Sequence, residues 1–309
     1  MAGRRDGRFR RAGGCVEAVA MSSQLRIDAP QMSDPICRWM RPEEAEALTA
    51  LLAAAFGNPR FGPTVARLSR MANAAIHVLE ADGAIRAAAA VVDYGRAAYL
   101  GIVGTDPAMQ GRGFGRRIVE AALAPVPADR VILLDASPSG APLYEKLGFV
   151  DVDQSVVLEA RAPVEAPPVP GLAAMAEADL PDVIAYDAAV FGADRASGIG
   201  ALFHEHPGGG MVCRDGGRVV GYGLCQPDRI GPVLAETQAI GAALVAALSE
   251  FGAEGPATIT VPSSNAAMLD HLHRRGVPEL RRLRHMRRGG DRHPSDRGRI
   301  AVMASFHLG

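Results

Sequence analysis

Gln110-Gly111-Arg112-Gly113-Phe114-Gly115 is the stretch on which the reading of this 309-residue sequence turns. It follows an extended apolar segment, Tyr99 to Val103, and leads into Ile118, Val119, Ala122 and Leu123 at helical spacing. The pattern is strand, glycine turn, helix. The first amides of a helix lack intrahelical partners and lie at the positive end of its dipole, and glycines remove the Cβ atoms that would keep an anion from them. Arg112, Arg116 and Arg117 add positive charge around the turn. The glycines alone leave two readings open, a phosphate cradle and a helix start that needs positive φ. No Lys-Ser/Thr follows, which argues against a nucleoside-triphosphate loop, and the dinucleotide-binding spacing with an acid about 20 residues on is not met cleanly.

Outward from the turn, composition sets limits. With 48% hydrophobic residues and a net charge of −1, the chain has material for two domains and asks for neither a membrane nor nucleic acid. Lys146 is the only lysine, and the arginines are matched by acids along most of the chain. Cys15, Cys37, Cys213 and Cys225 lack paired spacing. That suits a reducing cytoplasm, with no disulfide framework and no structural metal.

Residues 1–33, basic and Gly/Ser-rich, read as a disordered extension. The first domain runs from 34 to 159. It begins with a strand, Ile36 to Met40, and helices at Glu43 to Phe56 and Thr64 to Met71. A hairpin of Ile76 to Glu80 and Ile85 to Tyr94 turns at Asp82-Gly83. Beyond the central motif come the strand Val131 to Asp135, a turn at Ser137 to Gly140, a helix carrying Tyr144, and a closing strand, Phe149 to Leu158. Residues 160–171, rich in proline, form an extended and stiff connector. The order of elements then begins again, from Leu172 through the long helix Ala235 to Phe251 and the helix Asn265 to His273 to a final strand at Ile300 to His307, which predicts a second, similar domain over 172–309.

Gln-x-x-Gly-x-Gly at Gln110 to Gly115, with Pro107 ahead of it, resembles the acetyl-CoA pyrophosphate motif of the GNAT superfamily of N-acetyltransferases. Pro142-Leu-Tyr144-Glu-Lys-Leu-Gly148-Phe149 resembles that superfamily's last helix with its tyrosine. The resemblance implies an α/β (α+β) fold of two GNAT-like domains, each a mixed, mostly antiparallel sheet flanked by helices. It implies acetyl-CoA as cosubstrate, with no metal, and a small-molecule or peptide amine as acceptor. The strand before the turn would splay from its neighbour, so that Ile102, Val103 and Thr105 meet the pantetheine arm. Gln110, Gly111, Arg112, Gly113, Phe114, Gly115 and Arg116 would hold the pyrophosphate, with Ser139 beside them. Tyr144 is the expected general acid for the departing thiolate. Asp93 is the base put forward, with Asp135 and Glu80 as alternatives, and His77 reads as surface or satisfied core.

In the second half, Arg229-Ile-Gly231-Pro232-Val-Leu-Ala-Glu236 is read as standing where the phosphate turn should be, with a proline and an acid in place of amides and positive charge. This half therefore resembles the degenerate domain of tandem bacterial GNAT proteins, expected to form one wall of the acceptor site. Asp187 and Arg195 read either as a grip on a polar acceptor or as a structural ion pair. Arg281 to Arg299 reads as a solvated basic loop. The expected molecule is a cytoplasmic monomer or homodimer that binds one acetyl-CoA; a non-catalytic acyl-CoA sensor or scaffold is the alternative.

Overall fold

The computed structural model describes residues 34–251, 255–290 and 292–309. The extension expected over 1–33 lies outside them. The first half contains β1 (Ile36–Trp39), α1 (Ala45–Phe56), α2 (Gly62–Arg70), β2 (Ala74–Ala81), β3 (Ala84–Asp93), β4 (Ala97–Thr105), α3 (Phe114–Leu123), β5 (Val131–Ala136), α4 (Ala141–Lys146) and β6 (Val150–Ala160). The second repeats the order with β7 (Leu172–Ala174), α5 (Leu180–Phe191), α6 (Ala196–Glu205), β8 (Gly210–Asp215), β9 (Arg218–Gln226), β10 (Arg229–Ala235), α7 (Gln238–Phe251), β11 (Ala257–Pro262), α8 (Ala266–Arg274) and β12 (Glu279–Arg288), and adds β13 (Ile300–Val302).

Local chemistry explains the elements that frame the site. Leu48, Leu51 and Leu52 recur on one face of α1 and are buried, and Gly57, at φ 64°, ends that helix in a left-handed conformation. In β3, Ala87, Ala88 and Ala89 are fully buried. By propensity alone they would suit a helix. As a strand packed by α1 and α3, their small side chains let both helices approach.

The strands form one mixed sheet in the order β1-β2-β3-β4-β5-β12-β6-β11-β10-β9-β8-β7, with β13 against β10. Most neighbours are antiparallel; β4 with β5 and β10 with β11 are parallel. The two halves exchange their last strands. β12 lies between β5 and β6, pairing Arg288 with Ile132 and Arg287 with Val150, while β6 pairs with β11 from Ala160↔Ala257 to Ser155↔Pro262. The sequence units 34–159 and 172–309 thus interleave in space within one compact body, Asp34–Gly309. Residues 160–171 run extended along the second half, where Val164 is buried and its amide donates to Ser249 Oγ at 2.8 Å.

Three readings need correction. Much of the basic segment taken for a loop is β12, which buries Leu283, His285 and Met286. Arg284 is answered across the exchange, by Asp151 of β6 at 2.5 Å and Glu145 of α4 at 2.7 Å, while Arg282 pairs with Glu279 of the same strand at 2.7 Å. The segment taken for a degenerate phosphate turn is strand β10, because Ile230, Val233 and Leu234 are core residues. The closing strand is short, and residues 303–309 leave it to pack on the first half.

Asp153 of β6 lies under this junction, accepting from Ser263 Oγ and from Arg297 Nε, each at 2.5 Å. Burial by itself would raise its carboxyl; the Arg297 charge and the donated hydrogen bonds prevail and hold it down to about 2. Its contribution, about 1–2 kcal/mol, is present above the unfolded value near pH 4 and lost as pH falls through 2. Denaturant melts of Asp153→Asn should show a smaller loss of stability between pH 5 and 2 than wild type; an equal loss would remove Asp153 from that titration.

Candidate functional site

At the turn, Gly111 and Gly113 adopt φ 76° and 82°, and Gly113 is the N-cap of α3 without any side chain capping the helix. Beyond the chain neighbours, no described residue lies within 4 Å of where either glycine's Cβ would stand. The first amides of α3 therefore face open space, with Gln110, Arg112 and Arg116 exposed around them and Phe114 buried beneath. Arg116 is drawn to Glu120 at 2.8 Å and Arg117 to Pro35 O at 2.7 Å, so Arg112 is the arginine of the turn with neither kind of tie.

Before the turn, β4 splays as expected. It pairs with β5 only at Ala97, Ala98 and Tyr99, although it runs to Thr105 and β5 to Ala136. On its other edge Gly101 and Gly104 face Ala90 and Ala88, which leaves Ile102 and Val103 opposite Ala89 alone. This is a β-bulge, and it frees backbone groups from the ladder. Ile102 takes φ 46°, a sparsely populated conformation for a β-branched residue and one that tends to be retained at functional sites.

The second half has a matching bulge, where Gly231 and Pro232 face Leu224 and the pairing of β10 with β11 stops at Ile230↔Ile259. There the wedge is filled. β13 pairs with β10, Met303 N donates to Thr260 O of β11 at 2.8 Å, and Asn265 Nδ2 holds the carbonyls of Gly298 and Ile300 at 3.0 Å each. At the strand-to-helix junction stands Glu236, tied to Arg218, in place of glycines.

A cleft of about 830 Å³ opens where β4 and β5 part. The first half supplies Ile102, Val103, Ser137, Tyr144 and the residues between α1 and α2; the second supplies Gln226, Arg229, Arg281 and Leu283; and Ser305, Phe306 and His307 close it. Tyr144 is 8% exposed, packs edge-on to Phe149, and has no hydrogen-bond partner among the described residues. Burial pushes its phenol above the usual value, so it carries its proton at neutral pH. Ser139 is exposed on the β5–α4 loop beside Ser137, whose residue is the one that lines the cleft.

Asp93 lies elsewhere. At the end of β3 it accepts from Gly95 N at 2.8 Å, fixing the β3–β4 turn, and is not among the cleft residues. Glu80 pairs with Arg38 at 2.6 Å. The Asp135 side chain is fully buried and accepts from Tyr99 Oη, from Ser155 Oγ at 2.5 Å and from His285 Nδ1 at 3.0 Å. Ser295 N donates to His293 Nδ1 at 3.1 Å, which puts the hydrogen on Nε2, and that in turn donates to His285 Nε2 at 2.8 Å. With its acceptor sites filled, Asp135 organises the floor of the cleft. Asp187 and Arg195 form a pair 1% and 2% exposed, and Arg195 Nη1 donates onward to Gly309 O at 2.8 Å. The structural alternative holds, because the pair grips the backbone of residues 308–309 from behind the cleft.

Two cleft residues had no sequence signal. His307 packs so closely on β4 that a Cβ on Gly101 would stand 2.5 Å from its own Cβ. Its Nε2 is sealed without a hydrogen-bond partner among the described residues. Burial first, then the Arg67 and Arg229 charges, press its pKa well below the ordinary value, and the ring is neutral. Arg229 Nη1 likewise has no hydrogen-bond partner among the described residues.

Comparisons with known proteins agree with this geometry. Residues 72–151 and 183–301 each match a family model described as an acetyltransferase (GNAT) domain. An uncharacterised N-acetyltransferase of Bacillus subtilis (strain 168), YitH, is 29% identical over 185 residues, 58% of this chain; the match spans 65% of that relative's own length. A candidate acetyltransferase from Pyrococcus horikoshii has a similar solved structure, with TM-score 0.77 and 21% identity over 90% of this chain and 96% of that one. A tandem GNAT protein from the clavulanic acid biosynthesis pathway aligns at TM-score 0.58 and 16% identity over 84% of this chain and all of its own. At these identities the solved structures speak to the fold.

Proposed function

The chain belongs to the GNAT acetyltransferases and is an acyltransferase with two such domains, and from that premise we propose that it transfers an acetyl group from acetyl-CoA directly to a primary amine. The observation that carries the reading is the unpaired edge of β4 beyond Tyr99, which runs from the glycine turn into the cleft that holds Tyr144. The amides of α3 receive the pyrophosphate, and the freed edge at Ile102 and Val103 meets the pantetheine arm. A freed bulge amide is placed to stabilise the oxyanion that forms on the thioester carbonyl.

The acceptor enters from the side shared with the second half. Neutral His307, in place of Asp93, accepts the amine proton at Nδ1, the ring nitrogen that is not sealed, directly or through a water. The free amine attacks the thioester carbonyl, the carbon–sulfur bond breaks, and Tyr144 gives its proton to the departing thiolate. Holding both reactants in one cleft supplies much of the acceleration without a covalent enzyme intermediate.

Free-thiol release with a panel of amines tests the reaction. Calorimetry should give one acetyl-CoA per chain, since β13 fills the second wedge; a stoichiometry of two would sink that part. Tyr144→Phe should bind acetyl-CoA nearly as wild type and lower kcat roughly 10²-fold. Wild-type turnover across a pH series would remove Tyr144 from the mechanism.

A further inference from the structure

Arg229, at the start of β10, lines the cleft with no described residue accepting a hydrogen bond from its guanidinium. Burial lowers its pKa, and the charges around it are unbalanced, with Asp228 opposed by Arg67 and Arg281. Those neighbours are committed or solvated. Arg67 donates twice to Glu205, at 2.9 and 2.7 Å, Asp228 faces Arg60 at 3.7 Å, and Arg281 stands exposed at the rim. His307 beside it is neutral and adds no charge. Asp135, the other carboxylate at the cleft, is saturated by Tyr99, Ser155 and His285. The Phe306 ring lies 5.5 Å from the guanidinium and eases its charge, but no described carboxylate pairs with it, so a half-buried positive charge without a counter-ion lines the space that an acceptor would fill. Leaving such a charge unpaired is costly, and an anion of matching shape removes the cost.

We propose that the acceptor amine also carries a carboxylate, and that Arg229, supplied by the second half, binds that carboxylate in the first half's cleft. The proposal rests on the acetyl-transfer reading for the role of the amine, while the anion site itself stands on the cleft alone. A guanidinium fork fits a planar carboxylate with two parallel hydrogen bonds. With Arg67 and Arg282 held by Glu205 and Glu279, and Arg281 solvated at the rim, the one half-buried open charge suits a monoanion better than a phosphate dianion. Occupancy would also act on the base, because a carboxylate on Arg229 cancels one of the two charges that press His307 down. An acceptor of this class would thus improve the basicity of the group that receives its proton.

The test uses the full chain and two readouts. In the first, thermal unfolding without acetyl-CoA is followed with β-alanine, with propylamine of similar length, and with phosphoethanolamine. A rise in Tm with β-alanine alone, absent in Arg229→Met, is the expected result; a rise with phosphoethanolamine alone, or equal rises in the variant, overturns the carboxylate assignment. In the second, kcat/KM for the aminocarboxylate over the neutral amine should be at least tenfold in wild type, a single charge-assisted pair being worth about 10- to 100-fold, and should approach one in Arg229→Met. Arg229→Lys, which keeps the charge and loses the fork, should fall between. Turnover of neutral amines with no discrimination in any variant overturns the proposal and leaves acetyl transfer standing; anion-dependent Tm shifts without turnover of any amine keep the site and overturn the transfer reading.

Discussion

Gly113→Val lowers acetyl-CoA affinity by at least about 10²-fold while the protein stays folded. Gly113 holds φ 82°, a conformation that costs a β-branched residue on the order of 1–3 kcal/mol. Relaxing it would turn the first amides of α3 away from the ligand, and each charge-assisted hydrogen bond lost there is worth about 1.5–3 kcal/mol. Two such effects make the expected factor. The space around the position isolates the readout: beyond the chain neighbours, no described residue has a heavy atom within 4 Å of the added Cβ, so the valine meets the ligand's path before the protein. Calorimetry alongside a circular-dichroism melt checks it. Native affinity in a folded variant would assign the turn to helix geometry alone.

Asp187→Ala should be the most destabilising single change on α5. It strands Arg195, 2% exposed, without its partner, and leaves the Tyr222 hydroxyl, which donates to Asp187 Oδ2 at 2.5 Å, unpaired. Breaking a buried pair from one side costs about 3–5 kcal/mol, or on the order of 10 °C in Tm. Replacing both partners, Asp187→Leu with Arg195→Met, should recover most of the loss, because the penalty lies in the orphaned charge. Thermal melts of the three variants decide; an additive double variant would show that the pair is not the source. The same lesion loosens Leu308 and Gly309, whose carbonyls Arg195 holds, and so should raise the acceptor KM through His307.

The splay of β4 was implied only by the resemblance, since spacing cannot show which strands part, whereas the glycine turn and the helix carrying Tyr144 gave local signals, residue types at fixed spacing along one element. The doubling of the fold was legible for the same reason. Asp93 was misplaced because a carboxylate after a strand is equally suited to cap a turn, and only the register of β3 with β4 tells which. β12 was hidden because it is dense in arginine and Arg284 finds its counter-charges on β6 and α4, more than a hundred residues away in sequence, so the local pattern reads as solvated. Arg229 and His307 carried no motif. Arg229 reaches the cleft as the first residue of β10, and the place of His307 follows from the filling of the β10–β11 wedge by β13, which sends residues 303–309 onto the first half; no periodicity announces either.

The exchange of β6 and β12 also sets a schedule for the nascent chain. When residue 160 has been made, β5 has no partner on its inner edge and β6 has none on either side, since β5 awaits β12 and β6 awaits both β11 and β12, the later of which ends at Arg288. At ordinary synthesis rates that wait is on the order of 10 s. During it the first half presents unpaired strands that are competent to capture another copy of the same segment. Mutations that slow translation over 160–288 should therefore lower soluble yield without touching the stability of the finished protein, and supplying 172–309 as a separate polypeptide during synthesis should restore it.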